Sequence, residues 1–208
     1  MTLSVVGLSK RLGGRAVLRE VEISGTQGQC FALLGDNGAG KSTLLRILAG
    51  ILEADAGRAS LDGASILGPH APARARVGYV PEAADPPPHL TPREVCALVA
   101  ALKRAAPPGP ETIERLALGA FWDRPTGSLS LGQRRRACLA AALVGDVGLL
   151  LLDEPTNGLD AGGVVELSAL VRERCGAGVT ALIATHDTAF AEAIGATRLR
   201  LVEGRVLA

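Results

Sequence analysis

The sequence predicts an α/β fold in which antiparallel strands come first, a parallel sheet follows, and a helical insertion interrupts the sheet. Three observations carry this expectation. Apolar runs that read as buried strands, at 29–34, 77–80, 149–153 and 179–184, alternate with segments that read as helices. A glycine-rich stretch joins the first of these runs directly to a helix. Between about 83 and 147 the composition turns to prolines and helix formers, with strand-bearing segments on either side. The 208 residues suit one domain with a sizeable core. We therefore expect a single unit over 1–208, with 1–82 and 148–208 forming the α/β core and about 83–147 an inserted helical subdomain.

Residues 3–8 and 17–23 read as strands, the second partly alternating, and Gly13-Gly14 between them reads as a turn. Such a pair makes the N-terminal β subdomain antiparallel. After the glycine-rich stretch, 43–49 reads as helix and 57–61 as a short strand entering an Asp62-Gly63 turn. The strand 77–80 ends at Pro81. Ala83-Ala84-Asp85-Pro86-Pro87-Pro88 suits neither helix nor central strand, so it is a stiff linker leaving the sheet. Thr91-Pro92-Arg93-Glu94 then starts a helix: Thr91 is an N-cap, Pro92 fits the first helical position, and Glu94 closes a capping box. This helix is expected to run to about Ala105, where Pro107-Pro108-Gly109-Pro110 breaks it, and a short helix follows from Glu111. The sheet resumes at 149–153. A helix over 163–175, a strand over 179–184, a helix over 188–194 and a hairpin around Glu203-Gly204 complete the chain.

Composition excludes several classes of function. The net charge of +1 supplies no field for nucleic acid, and with 2% aromatic residues base-stacking platforms are scarce. Cys30, Cys96, Cys138 and Cys175 lie apart in sequence without zinc or C-x-x-C spacing, so they read as reduced, mostly buried thiols of a cytoplasmic protein. Met1-Thr2-Leu3-Ser4-Val5-Val6 does not read as a signal peptide. The longest apolar stretch, 137–152, is broken by Asp146 and is too short to span a bilayer. A soluble chain is expected, with any membrane role reached through a partner.

Gly35-Asp36-Asn37-Gly38-Ala39-Gly40-Lys41-Ser42 fits G-x-x-x-x-G-K-[ST], a phosphate-binding loop, with Thr43 next inside the helix. A strand before it and a helix after it meet the structural condition that separates the motif from a mere glycine-rich turn. Its glycines let successive N–H groups converge on phosphate oxygens, and the helix N-terminus adds partial positive charge. Lys41 would reach the β- and γ-phosphates of a nucleotide, and the Ser42 hydroxyl would bind Mg²⁺.

Four further stretches follow in order: Leu129-Ser130-Leu131-Gly132-Gln133, the run 149–153 with Glu154-Pro155, Asn157-Gly158-Leu159-Asp160, and Thr185-His186-Asp187 directly after a strand. Three of them also have a plain structural reading. Ser130 to Gln133 fits a helix-capping box, Asp153-Glu154-Pro155 fits a strand end running into a turn, and a single His after a strand is usually structural. Arg134-Arg135-Arg136 reads as a solvated or partner-facing helix surface.

Taken together with the phosphate loop, and in this order, these stretches resemble the ATP-binding-cassette (ABC) ATPases over essentially the whole chain, and specifically a compact bacterial export-type cassette. The resemblance implies a P-loop NTPase (RecA-like) core. It implies Mg²⁺ held by Asp153 with Ser42, Glu154 as general base for the attacking water, and His186 as the switch that senses the γ-phosphate. Ser130, Gly132 and Gln133 stand in the family's L-S-G-G-Q signature, here LSLGQ, which faces ATP bound to a second cassette; Asp160 resembles the aspartate that crosses the dimer interface. One chain then cannot complete a site, and two chains, expected to be identical, sandwich two ATP. Leu12 takes the position of the aromatic that usually stacks on adenine, with Val17 beside it, and forgoes a stacking contribution of about 1 kcal/mol. After Pro81 the family usually has Gln; here Glu82 takes the contact to Mg²⁺ and water, a trait of some bacterial exporter cassettes. The resemblance thus implies an ATPase subunit that drives a separate integral membrane permease, peripheral on the cytoplasmic face of the cell membrane. The alternatives are a soluble ABC ATPase that drives assembly of a non-membrane complex, and a nucleotide sensor without turnover.

Overall fold

The computed structural model describes residues 2–207; Met1, the first residue of the stretch read for a leader, and Ala208 lie outside them. Strands β1 (Leu3–Leu12) and β2 (Arg15–Gly25) pair antiparallel across Gly13-Gly14, whose φ angles of 54° and 79° suit glycine. Register shifts between Val5 and Leu8 and between Leu8 and Lys10 interrupt the alternation of β1. Periodicity therefore stops at residue 8 although the strand runs to Leu12. After α1 (Lys41–Leu48), β4 (Ala56–Leu61) returns along the other side of β1, and β5 (Ala64–Ser65) closes this antiparallel sheet in the order β2-β1-β4-β5.

The second sheet holds β3 (Cys30–Leu34), β6 (Val77–Val80), β7 (Leu149–Asp153), β8 (Thr180–Ala184), β9 (Thr197–Val202) and β10 (Arg205–Leu207), ordered β10-β9-β3-β8-β7-β6. All its pairings are parallel except β9 with β10, the terminal hairpin. Its inner strands β7 and β8 are buried at every residue, as parallel strands covered on both faces must be. Alternation divides β7 between two apolar clusters. Leu149 and Leu151 pack with Phe31, Leu182 and α1 toward the antiparallel sheet. Leu150 and Leu152 pack with Ala181 and Ile183 on the opposite face.

That opposite face carries the helices. They are α2 (Pro92–Lys103), α3 (Pro110–Arg115), α4 (Leu131–Ala142), α5 (Ala161–Gly176) and α6 (Thr188–Ala193). The capping box expected at Thr91 and Glu94 is formed. The helix it opens ends at Lys103 because Arg104 turns to φ 54° and the Ala105 N–H closes back on the Ala100 carbonyl. Val95, Cys96, Ala100, Leu139 and Ala140 of α2 and α4 share one cluster with Val80, Leu150 and Leu152 of the sheet, so these helices pack on the sheet's own core. The approach of α4 to β6 is close: a Cβ at Gly78 would lie 2.3 Å from the Ala142 carbonyl oxygen. All four cysteines are free. Burial pushes the Cys96 thiol up to about 12 and Cys138 up to about 11, which leaves both unreactive. No helix among the described residues is long and apolar enough to cross a membrane.

Candidate nucleotide site

The phosphate-binding loop runs from the end of β3 to α1. Gly40, at φ 107°, caps α1 without a side chain, so the first N–H groups of the helix point into the loop unclaimed by a cap. A Cβ at Gly40 would sit 3.1 Å from both the carbonyl oxygen and Cγ1 of Val17, so β2 braces the loop from behind. The buried Lys41 ammonium donates to the Gly35 and Asp36 carbonyls at 2.6 and 3.2 Å and is thereby fixed at the loop's mouth. A cavity of about 720 Å³ opens over this loop. Gly35, Asp36, Asn37, Gly38, Gly40, Lys41, Ser42 and Thr43 form one side of it, and Glu82, Glu154, Asn157 and His186 the other. Ala39 alone of the loop stays off the wall; its N–H donates to the Asp36 carbonyl at 3.1 Å.

Asp153 ends β7 with 1% of its surface exposed, and neither carboxylate oxygen has a hydrogen-bond partner. Burial holds its carboxyl above the ordinary value. The Ser42 side chain draws it back, Glu82 and Glu154 raise it further, and Arg46 lowers it. An orphaned buried carboxylate beside a loop serine fits Mg²⁺, which binds through one or two protein oxygens and completes its shell with phosphate and water. Among the described residues no group of three or more His, Cys, Asp or Glu is arranged to hold a metal unaided. A raised folded-state pKa means that the folded state binds this proton more tightly than the unfolded chain. The stability owed to it is present at low pH and is lost as pH rises through the raised value. At neutral pH the group therefore opposes folding, and Asp153→Asn, by removing the ionisable carboxyl from this buried place, should raise the melting temperature of the nucleotide-free, EDTA-treated protein by a few degrees, about 2–4 °C per kcal/mol for a chain of this size. Differential scanning calorimetry checks this.

Glu154 turns sharply out of β7 at φ 44°, with its N–H donating to the Ala184 carbonyl of β8 at 2.8 Å. The turn brings its nearly buried carboxylate to His186, which follows β8: Oε2 lies 2.9 Å from His186 Nδ1 and accepts from the His186 backbone N–H at 3.3 Å. Glu82, beyond β6, accepts at Oε1 from Asn157 Nδ2 at 3.5 Å. Asn157 thus belongs to the cavity wall. The sequence shows the motif that contains it, Asn157-Gly158-Leu159-Asp160, but the contact with Glu82, 75 residues earlier, exists only in the fold.

The arginine run departs from its expected role as a solvated or partner-facing surface. Arg135 is the largest fully buried side chain, 1% exposed, and its two terminal nitrogens donate to the Glu154 and Glu82 backbone carbonyls at 2.8 Å each. Arg134 donates to the Leu129 carbonyl at 2.9 Å and pairs with Asp85. Arg136 lies over the Phe121 ring at 5.4 Å. Consecutive helix residues point about 100° apart, so a run of three on a packed helix sends one inward.

The signature residues lie elsewhere. Ser130, Gly132 and Asp160 line a second cavity of about 600 Å³ with Leu131, Gly158 and Leu159. Ser130 also caps α4: its Oγ accepts from the Gln133 N–H at 3.3 Å, while Gln133 Oε1 accepts from the Ser130 N–H at 3.0 Å. The Gln133 side chain is thus committed to the helix end and lines neither cavity. Asp160 caps α5 by accepting from the Gly163 N–H at 2.7 Å. Leu12 and Val17, read from the resemblance as adenine neighbours, line neither cavity; Leu12 stands 42% exposed at the end of β1.

A parallel sheet that feeds a glycine-rich loop into a helix N-terminus, with two carboxylates at the end of a neighbouring strand, defines a nucleoside-triphosphate-binding α/β protein. The family described as "ABC transporter" matches residues 18–157, and the chain belongs to it, a family of ATP-binding cassettes that are ATPases. An AAA-domain family also matches residues 123–192. Among known relatives, the "Nod factor export ATP-binding protein I" of Ralstonia nicotianae is 41% identical over 191 residues, covering 88% of this chain and 59% of that protein. The "Daunorubicin resistance ATP-binding protein DrrA3" of Streptomyces coeruleorubidus is 34% identical, covering 99% of this chain and 67% of that protein. This chain therefore spans about three fifths to two thirds of their lengths. A solved structure titled "Structure of ATP binding subunit of ABC transporter" superposes over the whole chain with a TM-score of 0.87 at 27% identity and 89% of its own length.

Proposed function

We propose that this chain hydrolyses ATP to drive an export-type permease, working as a pair of cassettes that close around two nucleotides. One observation carries the pairing: Lys41 and Glu154 line one cavity and Ser130 and Gly132 another. A chain that holds both halves of a site in separate places needs a second chain to bring them together. Similarity to proteins named for Nod factor export and daunorubicin resistance supports export.

In this reading the loop N–H groups and Lys41 hold the β- and γ-phosphates, and Asp36, Asn37 and Thr43 complete the cradle, with Ala39 behind its wall. Ser42 and Asp153, with Glu82 at the rim, would hold Mg²⁺, which supplies neutralisation of the phosphate charge when bound. Glu154 takes the proton of the attacking water. His186 orients the Glu154 carboxylate through Nδ1 and can exchange that contact for the γ-phosphate. Ser130 and the Gly132 N–H, at the start of α4, meet the nucleotide held by the partner, and Asp160 lies beside that contact. Leu12 and Val17 offer an aliphatic neighbour to the base. Residues of about 83–147 act as the subdomain that receives the permease, and the pair sits on the cytoplasmic face of the membrane through it.

Tagged Glu154→Gln, which should trap the closed pair, is recovered from detergent-solubilised membranes with ATP and Mg²⁺. An integral membrane protein at near-equal stoichiometry is expected. Recovery only with soluble partners would replace this reading with an ABC ATPase that drives assembly of a non-membrane complex.

A further inference from the structure

We infer that Arg135 is a positioning residue that ties the signature helix to the catalytic carboxylate of the same chain, so that engagement of one ATP site sets the geometry of the other. The inference rests on the pairing and the Glu154 role proposed above. Its basis is the commitment of the guanidinium. Arg135 is 1% exposed, yet its terminal nitrogens bond to the main-chain carbonyls of Glu154 and Glu82 at 2.8 Å each, and Nε has no partner. It holds the backbone at two points of the cavity wall that faces the phosphate loop and leaves both carboxylates free for other partners: Glu154 Oε2 for His186 and Glu82 Oε1 for Asn157. Burying a guanidinium carries a large desolvation cost, and this one lies among three acids, Glu82, Asp153 and Glu154.

Helix α4 carries Arg135. Helix α4 begins with Ser130 as its cap, in the second cavity, and presents Arg135 little more than one turn further on. Its first turn is tied by the capping box and by the Arg134 N–H on the Ser130 carbonyl at 2.9 Å, so the segment moves as a rigid piece. In a head-to-tail pair Ser130 faces the partner's ATP while Glu154 faces the chain's own. A tilt of α4 when Ser130 engages the partner's nucleotide is therefore delivered through the two Arg135 hydrogen bonds to the backbone of Glu154 and Glu82. Glu154 is the single residue between the end of β7 at Asp153 and the turn that follows, so a pull on its carbonyl acts directly on the backbone that carries the carboxylate.

The test uses the full chain with Mg²⁺-ATP and compares wild type, Arg135→Met and Arg135→Lys. Wild-type turnover is expected to depend on ATP with a Hill coefficient above one, bounded by the two sites. In Arg135→Met the coefficient should fall to one and kcat should drop by about 100-fold, the scale of an ångström-level misplacement, with KM changed by less than about threefold. Arg135→Lys keeps one donor and should recover turnover to within about tenfold of wild type. Unchanged cooperativity and kcat in Arg135→Met, or a non-cooperative wild type, would overturn the inference. So would a loss of turnover in both variants that simply tracks lost ATP affinity and a lowered melting temperature, because that is a packing role. Glu154→Gln run in parallel separates the two levels. If it retains turnover, the parent reading fails; if it is inactive while Arg135→Met is unaffected, only the positioning role fails.

Discussion

Glu154→Gln is expected to lower ATP turnover by about 10³-fold, within the range a positioned general base contributes, while ATP binding is retained. The carboxylate is almost buried and held on one side only: Oε2 is taken by the His186 ring and the His186 N–H, and Oε1 takes part in neither bond. Glutamine preserves the volume and can still bond to His186, so the turn at φ 44° and the contact with β8 should survive. The substitution removes proton-accepting ability and one negative charge from a cavity that also holds Asp153 and Glu82. Binding of ATP should therefore hold or tighten as turnover collapses. Phosphate release at saturating Mg²⁺-ATP, set beside equilibrium binding of ATP, measures the two separately. Turnover within a few-fold of wild type would remove Glu154 from the reaction and with it the proposed mechanism.

Lys41→Ala should act on the other side of the ledger, weakening ATP binding by at least about 100-fold. Hydrogen bonds to charged groups are worth about 1.5–3 kcal/mol each, and an ammonium shared between the β- and γ-phosphates makes more than one, so a loss of about 3 kcal/mol or more corresponds to that factor. Lys41 is already buried and held by the Gly35 and Asp36 carbonyls, so little side-chain freedom remains to be lost when phosphate arrives. Isothermal titration with ATP should show the effect, and circular dichroism should show an intact fold. Affinity within threefold of wild type would mean that the loop does not carry the phosphates.

The parts of this site that were readable in the chain are those built from adjacent residues. A phosphate loop is a run of backbone conformations, and Gly40 with Lys41 and Ser42 encodes its own turn, its own uncapped helix start and its own cation. The strand that carries Asp153 to the sheet's edge is likewise contiguous, as are the capping boxes at Thr91 and Ser130. Arg135 was not readable. Three consecutive arginines look alike in sequence, and only the packing of α4 against β6, close enough that Gly78 has no room for a Cβ beside Ala142, selects the middle one for burial. The length of β1 was hidden for a related reason, since its register shifts break the alternation that announces a strand. Leu12 and Val17 carry an expectation from the resemblance alone: neither lines the cavity over the phosphate loop, and Val17 stands behind Gly40.

By itself, the sequence determined the chemistry on offer: a loop for phosphate, carboxylates at a strand end, a histidine after another strand, and a capped helix bearing the signature. Tertiary structure decided which of these groups share a cavity. Glu82, Glu154 and His186 are brought together because β6, β7 and β8 lie side by side in the order β10-β9-β3-β8-β7-β6, and all three end on the same edge as the loop after β3. Neighbours in a parallel sheet are chosen by crossover connections that bury both faces, and that choice depends on how the whole core packs. The same packing sends Ser130 and Gly132 to a cavity of their own, apart from the one over the phosphate loop.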